Sequence, residues 1–185
     1  GTVELTNTRT VISSTVTGNS QFDMVGPNNH LEGSINNTQT MNMVGMDEAS
    51  SSIVVASDDI TNDGTLNMDS TDDTSDSNGL FAGAILDTQT NTLTNNGTLN
   101  VNNANDNKGV RLIEGNGVVT NTGDINVANG TALTISATQD GDFNNGAETI
   151  DVNLQSGNID GTVELTNTRT VISSTVTGNS QFDMV

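Results

Sequence analysis

The sequence predicts an all-β protein, a parallel β-helix (β-solenoid) with about five turns in each repeat unit. Three observations lead there. Residues 1–25, GTVELTNTRTVISSTVTGNSQFDMV, recur without a single difference at 161–185. Within positions 1–160, short Gly-x-aliphatic phrases recur at a mean spacing of 32. The composition supplies the third: 28 Asn and 29 Thr, four Phe, and neither Trp nor Tyr. Asn, Thr and Gly are poor helix formers, and no 3.6-residue apolar stripe is present. Without large rings an ordinary globular core is hard to fill, whereas a narrow stacked interior needs only aliphatic side chains.

The exact recurrence divides the chain into one complete unit, 1–160, and the start of a second identical unit, 161–185. Such a chain reads as a window of a tandem array. Identical units joined head to tail give an open fibre unless the rotation between them closes a ring. The rival reading is a domain that closes on itself or swaps its ends between copies.

The turns are expected to start near residues 1, 33, 64, 97 and 123. DGTVEL (160–165), EGSINN (32–37), DGTLNM (63–68), NGTLNV (96–101) and TGDINV (122–127) align on their Gly. Two positions later stand Val163, Ile35, Leu66, Leu99 and Ile125. Apolar residues two apart with a polar one between are the period of a half-buried strand. The Gly marks a corner that needs positive φ or a close backbone approach. The intervening position is Asn36, Asn67, Asn100 or Asn126, with Glu164 in the fifth phrase. This row forms either a side-chain ladder along the stack or a set of ordinary exposed polar residues.

Each turn then holds two more strands. One set is TVISSTVT (10–17), TMNMVG (40–45), GLFAGAIL (79–86), GVRLIE (109–114) and TALTIS (131–136). The other is FDMV (22–25), SIVVAS (52–57), NTLTN (91–95), GVVTN (117–121) and TIDVNL (149–154). Three strands of about five residues with connections of about 2–6 fill such a turn. A β-sandwich of short strands is the lesser alternative.

Charge narrows the function classes. The chain carries 23 Asp and Glu against four Lys and Arg, a net charge of −19. Arg9, Lys108, Arg111 and Arg169 cannot form the basic patch that a nucleic-acid binder needs. No apolar run approaches the ~18–20 residues of a membrane span. The absence of Cys excludes disulfides and thiolate metal sites. Catalytic constellations are sparse. The one His, His30, stands in the polar stretch GPNNHLEG and reads as a solvated turn residue, so no enzyme is expected.

Calcium is the best chemical expectation. Asp140, Asp142, Asn144 and Glu148 place oxygens at alternate positions, followed by Asp151. Such spacing lets carboxylate and amide oxygens converge on one hard cation. The match to an EF-hand loop is incomplete, with Gly at the seventh place and Asp at the twelfth. Asp72, Asp73 and Asp76, with Asp69 and Asn78, form a second candidate. The alternative for both is a solvated acidic loop. The unit 1–160 has three Lys and Arg against 21 Asp and Glu, a net charge of −18. Over five turns of ~4.8 Å this is about one charge per 1.3 Å, denser than the ~1.7 Å of duplex DNA. Divalent cations or a cationic partner are therefore expected to matter.

The phrases TNDGTLNM (61–68), TNNGTLNV (94–101) and GVVTNTGDINV (117–127) resemble the N-x-G-x-[IL]-x-[VI] rungs of bacterial autotransporter passengers and related secreted adhesins. The resemblance covers about two-thirds of the unit. It implies a right-handed parallel β-helix at the cell surface, serving adhesion, biofilm-type aggregation or surface coating. The faithful long repeat departs from the drifted repeats of that family and favours a fibre. The expected function is thus a structural repeat of an extracellular filament that stacks head to tail with itself. The alternative is an adhesin-type module whose loops recognise a host or matrix ligand.

Overall fold

A computed structural model shows three parallel sheets wound from one chain, with no helix among the described residues. The described residues are 2–5, 9–12, 21–25, 29–33, 36–45, 52–70, 83–102, 110–128, 131–137, 150–154, 157–159, 162–166, 168–172, 176–177 and 181–184. Sheet A holds β1 (Thr2–Leu5), β3 (Gln21–Val25), β6 (Thr40–Gly45), β9 (Thr65–Ser70), β12 (Thr98–Val101), β15 (Asp124–Val127), β18 (Gly157–Ile159) and β21 (Val176–Thr177). Sheet B holds β2 (Arg9–Ile12), β4 (Asn29–Gly33), β7 (Ser52–Ala56), β10 (Gly83–Asp87), β13 (Val110–Gly115), β16 (Ala132–Ala137), β19 (Thr162–Thr166) and β22 (Gln181–Met184). Sheet C holds β5 (Asn36–Asn37), β8 (Ile60–Asn62), β11 (Thr92–Asn95), β14 (Val118–Asn121), β17 (Ile150–Leu154) and β20 (Thr168–Ile172).

From β3 onward the chain visits A, B and C in order and returns to A one layer along. This is the expected parallel β-helix. Turns join a strand only to its equivalent above and below, so the strand pairings are parallel and in register.

The interior is built of columns. On sheet A, Leu5, Met24, Met43, Met68, Val101 and Val127 follow one another in register, all buried. Beside them run Met41, Leu66, Leu99 and Ile125. Sheet B supplies Val54, Leu86, Ile113, Ile135 and Leu165, and sheet C supplies Ile60, Leu93 and Val119. Burying an aliphatic side chain contributes about 1.5–3 kcal/mol. Aliphatic columns therefore stabilise the rod without aromatic rings.

The turns are more variable, and several are shorter, than an even spacing of the Gly phrases implies. On sheet A the shortest run from Thr2 to Gln21, from Phe22 to Met41 and from Gly157 to Val176, and the longest from Leu66 to Leu99. Gly64, Gly97 and Gly123 each stand just before a sheet A strand, as the shared phrase requires. Gly33 instead ends β4 on sheet B, and Gly161 precedes β19, also on sheet B. The assignment of the second and third strand sets holds for 83–154 and for residues 10–12, which lie on sheet B, but fails between 22 and 56, where FDMV (22–25) lies on sheet A with no counterpart in the third set. TMNMVG (40–45), for example, lies on sheet A, and SIVVA (52–56) on sheet B. Gly alone does not state which corner it occupies when a turn can be as short as that from Thr2 to Gln21. His30 lies within β4, in register with Arg9 and Ile53, and not in a loop.

Candidate functional site

The best-defined polar feature is the corner that leads from sheet C to sheet A. It is built from Asn62-Asp63-Gly64, Asn95-Asn96-Gly97 and Asn121-Thr122-Gly123. In each, the Asn ends a sheet C strand and points inward, with Asn62 1%, Asn95 2% and Asn121 0% exposed. With Asn37 they form a buried ladder. Asn37 Nδ2 donates to Asn62 Oδ1 at 2.7 Å, Asn62 Nδ2 to Asn95 Oδ1 at 2.6 Å, and Asn95 Nδ2 to Asn121 Oδ1 at 2.5 Å. The same amides reach across to the next turn of sheet A. Asn37 donates to the Thr65 carbonyl at 2.9 Å, Asn62 to Thr98 at 3.1 Å and Asn95 to Asp124 at 3.0 Å. A buried polar group is tolerable only when hydrogen-bonded. Stacking identical amides meets that demand with one residue type.

The Gly of the corner is required by close approach, not by positive φ. A Cβ on Gly64, Gly97 or Gly123 would lie 2.1, 2.1 or 2.0 Å from the carbonyl oxygen of Gln39, Gly64 or Gly97 in the turn beneath. Corner backbones are also tied layer to layer: Gly64, Gly97 and Gly123 N–H donate to the carbonyls of Asn37, Asn62 and Asn95 at 2.8–2.9 Å.

A second ladder runs on the outer side of sheet A. Asn126 Nδ2 donates to Asn100 Oδ1 at 2.9 Å, Asn100 to Asn67 at 2.9 Å, and Asn67 to Asn42 at 2.6 Å. Three residues of the expected Asn row, Asn67, Asn100 and Asn126, therefore do form a ladder. Asn36 and Glu164 do not belong to it, because they lie on sheets C and B; Asn42 completes it instead. Donors of the inner ladder face the C-terminal end of the rod, and donors of the outer ladder face the N-terminal end. Their amide dipoles oppose one another.

Two charged groups sit at the rim of the interior. Arg111, in register with Ala84 on sheet B, is 2% exposed. Its Nε donates to the Asn102 carbonyl at 3.1 Å, and its guanidinium lies 3.7 Å from Asp69 near the end of β9. Burial lowers the Arg111 pKa and the nearby Asp69 charge partly restores it. Glu114 is in register with Asp87 on the neighbouring turn. Its pKa is raised, first by burial and then by the Asp87 carboxylate.

Of the expected calcium ligands, Asp140, Asp142, Asn144, Glu148, Asp72, Asp73 and Asp76 lie outside the described residues. Asp151 lies on β17, where its backbone is in register with Val118 and Arg169. Asp69, a neighbour of the second cluster, faces Arg111. Among the described residues no three His, Asp or Glu converge as a metal site. No helix there is long and apolar enough to cross a membrane.

The inner ladder is the part that motif alignment on Gly missed. Its signal was the Asn two positions before each Gly, present in TNDGTLNM, TNNGTLNV and GVVTNTGDINV. Comparison with protein-family models, curated proteins and solved structures gives no match.

Proposed function

We propose that this chain is a structural repeat of an extracellular fibre that grows by head-to-tail stacking of solenoid turns. The observation that carries the reading is the way the second copy joins the first unit. Its first strand, β19 (Thr162–Thr166), is in register with β16 (Ala132–Ala137), and Val163 and Leu165 are buried over Leu133 and Ile135. Residues 161–185 repeat residues 1–25, so the start of one unit is itself a turn that stacks on the end of another.

Repulsion sets the conditions for such a fibre. From β1 to β18 the chain makes six steps along sheet A, and the second copy begins one sheet further, so the unit holds six and a third turns in place of the five expected. Its 18 net negative charges, spread over these turns of ~4.8 Å, or about 30 Å, come to roughly one per 1.7 Å, comparable with duplex DNA. Divalent cations therefore screen the rod and join it to itself, with Asp140, Asp142, Asn144, Glu148 and Asp151 as the first candidate ligands.

Electron microscopy of the full chain tests the fibre reading. Unbranched filaments with an axial rise per unit near ~30 Å are expected; isolated monomers that bind a defined glycan or protein would overturn it in favour of an adhesin module. Calcium should raise the melting temperature at low ionic strength relative to chelator, and Asp140→Asn with Asp142→Asn should reduce the rise. Equal melting with calcium and chelator would remove the cation part of the proposal.

A further inference from the structure

The two identical segments, 1–25 and 161–185, do not occupy the same sheets. In the first copy, Thr2–Leu5 lies on sheet A, Arg9–Ile12 on sheet B and Gln21–Val25 on sheet A. In the second, Thr162–Thr166 lies on sheet B, Thr168–Ile172 on sheet C and Gln181–Met184 on sheet B. Every strand described in both copies has moved one sheet further round. From β1 to β18 there are six steps along sheet A, and β19 stands one sheet beyond β18. The unit 1–160 thus advances six and one-third turns.

We infer that successive units along the fibre are rotated by one third of a turn, so that each unit receives the next on the sheet after the one where it began itself. This rests on the head-to-tail reading above.

The physical basis is that turn length belongs to the segment, whereas the choice of sheet does not. Thr2 is in register with Gln21, and Thr162 with Gln181, so the segment closes one turn over the same stretch wherever it starts. Its inward residues meet aliphatic neighbours on either sheet. Leu5 stacks under Met24 on sheet A, whereas its copy Leu165 stacks on Ile135 on sheet B. Val163 stacks on Leu133 in the same way. Only sheet C carries the inner Asn column, and Asn121 is followed there by Leu154, so that ladder ends inside the unit. Among the described residues, no polar column of the interior therefore runs on to hold the next unit to the original sheet.

The consequence concerns what the fibre presents. The outer amide ladder of Asn42, Asn67, Asn100 and Asn126 lies on sheet A. In successive units it would appear on the next side of the rod, stepping about 30 Å along the axis and facing the same way again after three units, or about 91 Å. A flat partner such as a neighbouring fibre or a cell surface then meets every third unit on a given side, whichever side it approaches. Multivalent contact becomes independent of the rod's orientation.

The Cys-free chain allows a direct test of the rotation in the full protein. Glu164 is in register with Thr134 on sheet B. If the copy instead repeated its original sheet, Glu164 would stack on Asn126 of sheet A, the position that the Gly phrases align with it. Registered parallel neighbours have the Cα separation a disulfide needs. Under mild oxidation the variant T134C/E164C should crosslink within one chain, read by mass spectrometry of the unreduced digest. N126C/E164C should not, while N126C/N158C, in register on sheet A, serves as the positive control. A crosslink in N126C/E164C, or none in T134C/E164C, overturns the rotation. The result is independent of fibre growth, so absent filaments would sink the fibre reading without touching the measured phase.

Discussion

Replacing Asn95 by Ala would remove the middle of the buried amide ladder. Asn95 accepts from Asn62 Nδ2 at 2.6 Å and donates to Asn121 Oδ1 at 2.5 Å and the Asp124 carbonyl at 3.0 Å. Each bond contributes about 0.5–1.5 kcal/mol net, and a buried partner left unsatisfied costs about 1–3 kcal/mol. Asn62 Nδ2 keeps its bond to the Thr98 carbonyl, which limits the loss on that side. The expected destabilisation is about 2–4 kcal/mol. Because Asn95 and Asn121 share one bond, Asn95→Ala with Asn121→Ala should cost less than the two single changes together, by about 0.5–3 kcal/mol. Urea unfolding followed by far-UV circular dichroism measures this, since the chain has no Trp or Tyr for fluorescence. The urea slope should stay constant if the change acts on stability alone. A single-variant cost below about 0.5 kcal/mol, or strict additivity, would refute the claim that the ladder works as a connected unit. Asn100→Ala in the partly exposed outer ladder is the control and should cost less than about 1 kcal/mol, because water replaces its partners.

Gly97→Ala places a Cβ 2.1 Å from the Gly64 carbonyl oxygen, so the corner must shift; a loss of about 1–3 kcal/mol in thermal or urea stability is expected. Asp69→Ala should destabilise by about 1–3 kcal/mol, a figure below that of fully buried pairs because Asp69 is partly exposed, whereas Arg111→Met should be within about 1 kcal/mol of the parent and should rescue Asp69→Ala. Failure of that rescue would mean that Arg111 does not carry the Asp69 effect. Glu114→Gln tests the raised carboxyl. The folded state holds the Glu114 proton more tightly than the unfolded chain, so stability falls as pH rises from the ordinary carboxylate value through the raised one. The Gln variant should therefore melt higher than the parent at neutral pH and no higher in acid; the opposite pH trend would refute the assignment.

Much of the rod can be read from residue order. Alternating aliphatic and polar residues in TLNM, TLNV and DINV dictate strands with one face inward, whatever lies beside them. The Gly of these phrases marks a corner because a Cβ there meets the backbone of the turn beneath. What local pattern does not reveal is the sheet to which a strand belongs. EGSINN and DGTVEL carry the same Gly-x-aliphatic signature as the sheet A phrases, yet Gly33 ends a sheet B strand and Thr162–Thr166 is a sheet B strand. Ring closure depends on the length of every connection before it, and those differ as much as the turn from Thr2 to Gln21 differs from that from Leu66 to Leu99.

The amide ladders divide along the same line. Sequence alone places Asn67, Asn100 and Asn126 on one strand face and makes a ladder of them conceivable. Stacking decides that Asn42 joins them, that Asn36 does not, and that a second ladder of Asn37, Asn62, Asn95 and Asn121 lies inside. Inward and outward are properties of the closed turn, since an Asn at a strand end points to the core only once the next sheet turns across it. Composition, repeat and strand period were thus determined by the chain itself: aliphatics without rings, a segment 1–25 that recurs at 161–185, and parallel stacking. The phase of the repeat was decided by tertiary structure alone. The identical segments 1–25 and 161–185 take different sheets because the interior faces accept the same aliphatic side chains, and only the summed path of the preceding turns sets where the second begins.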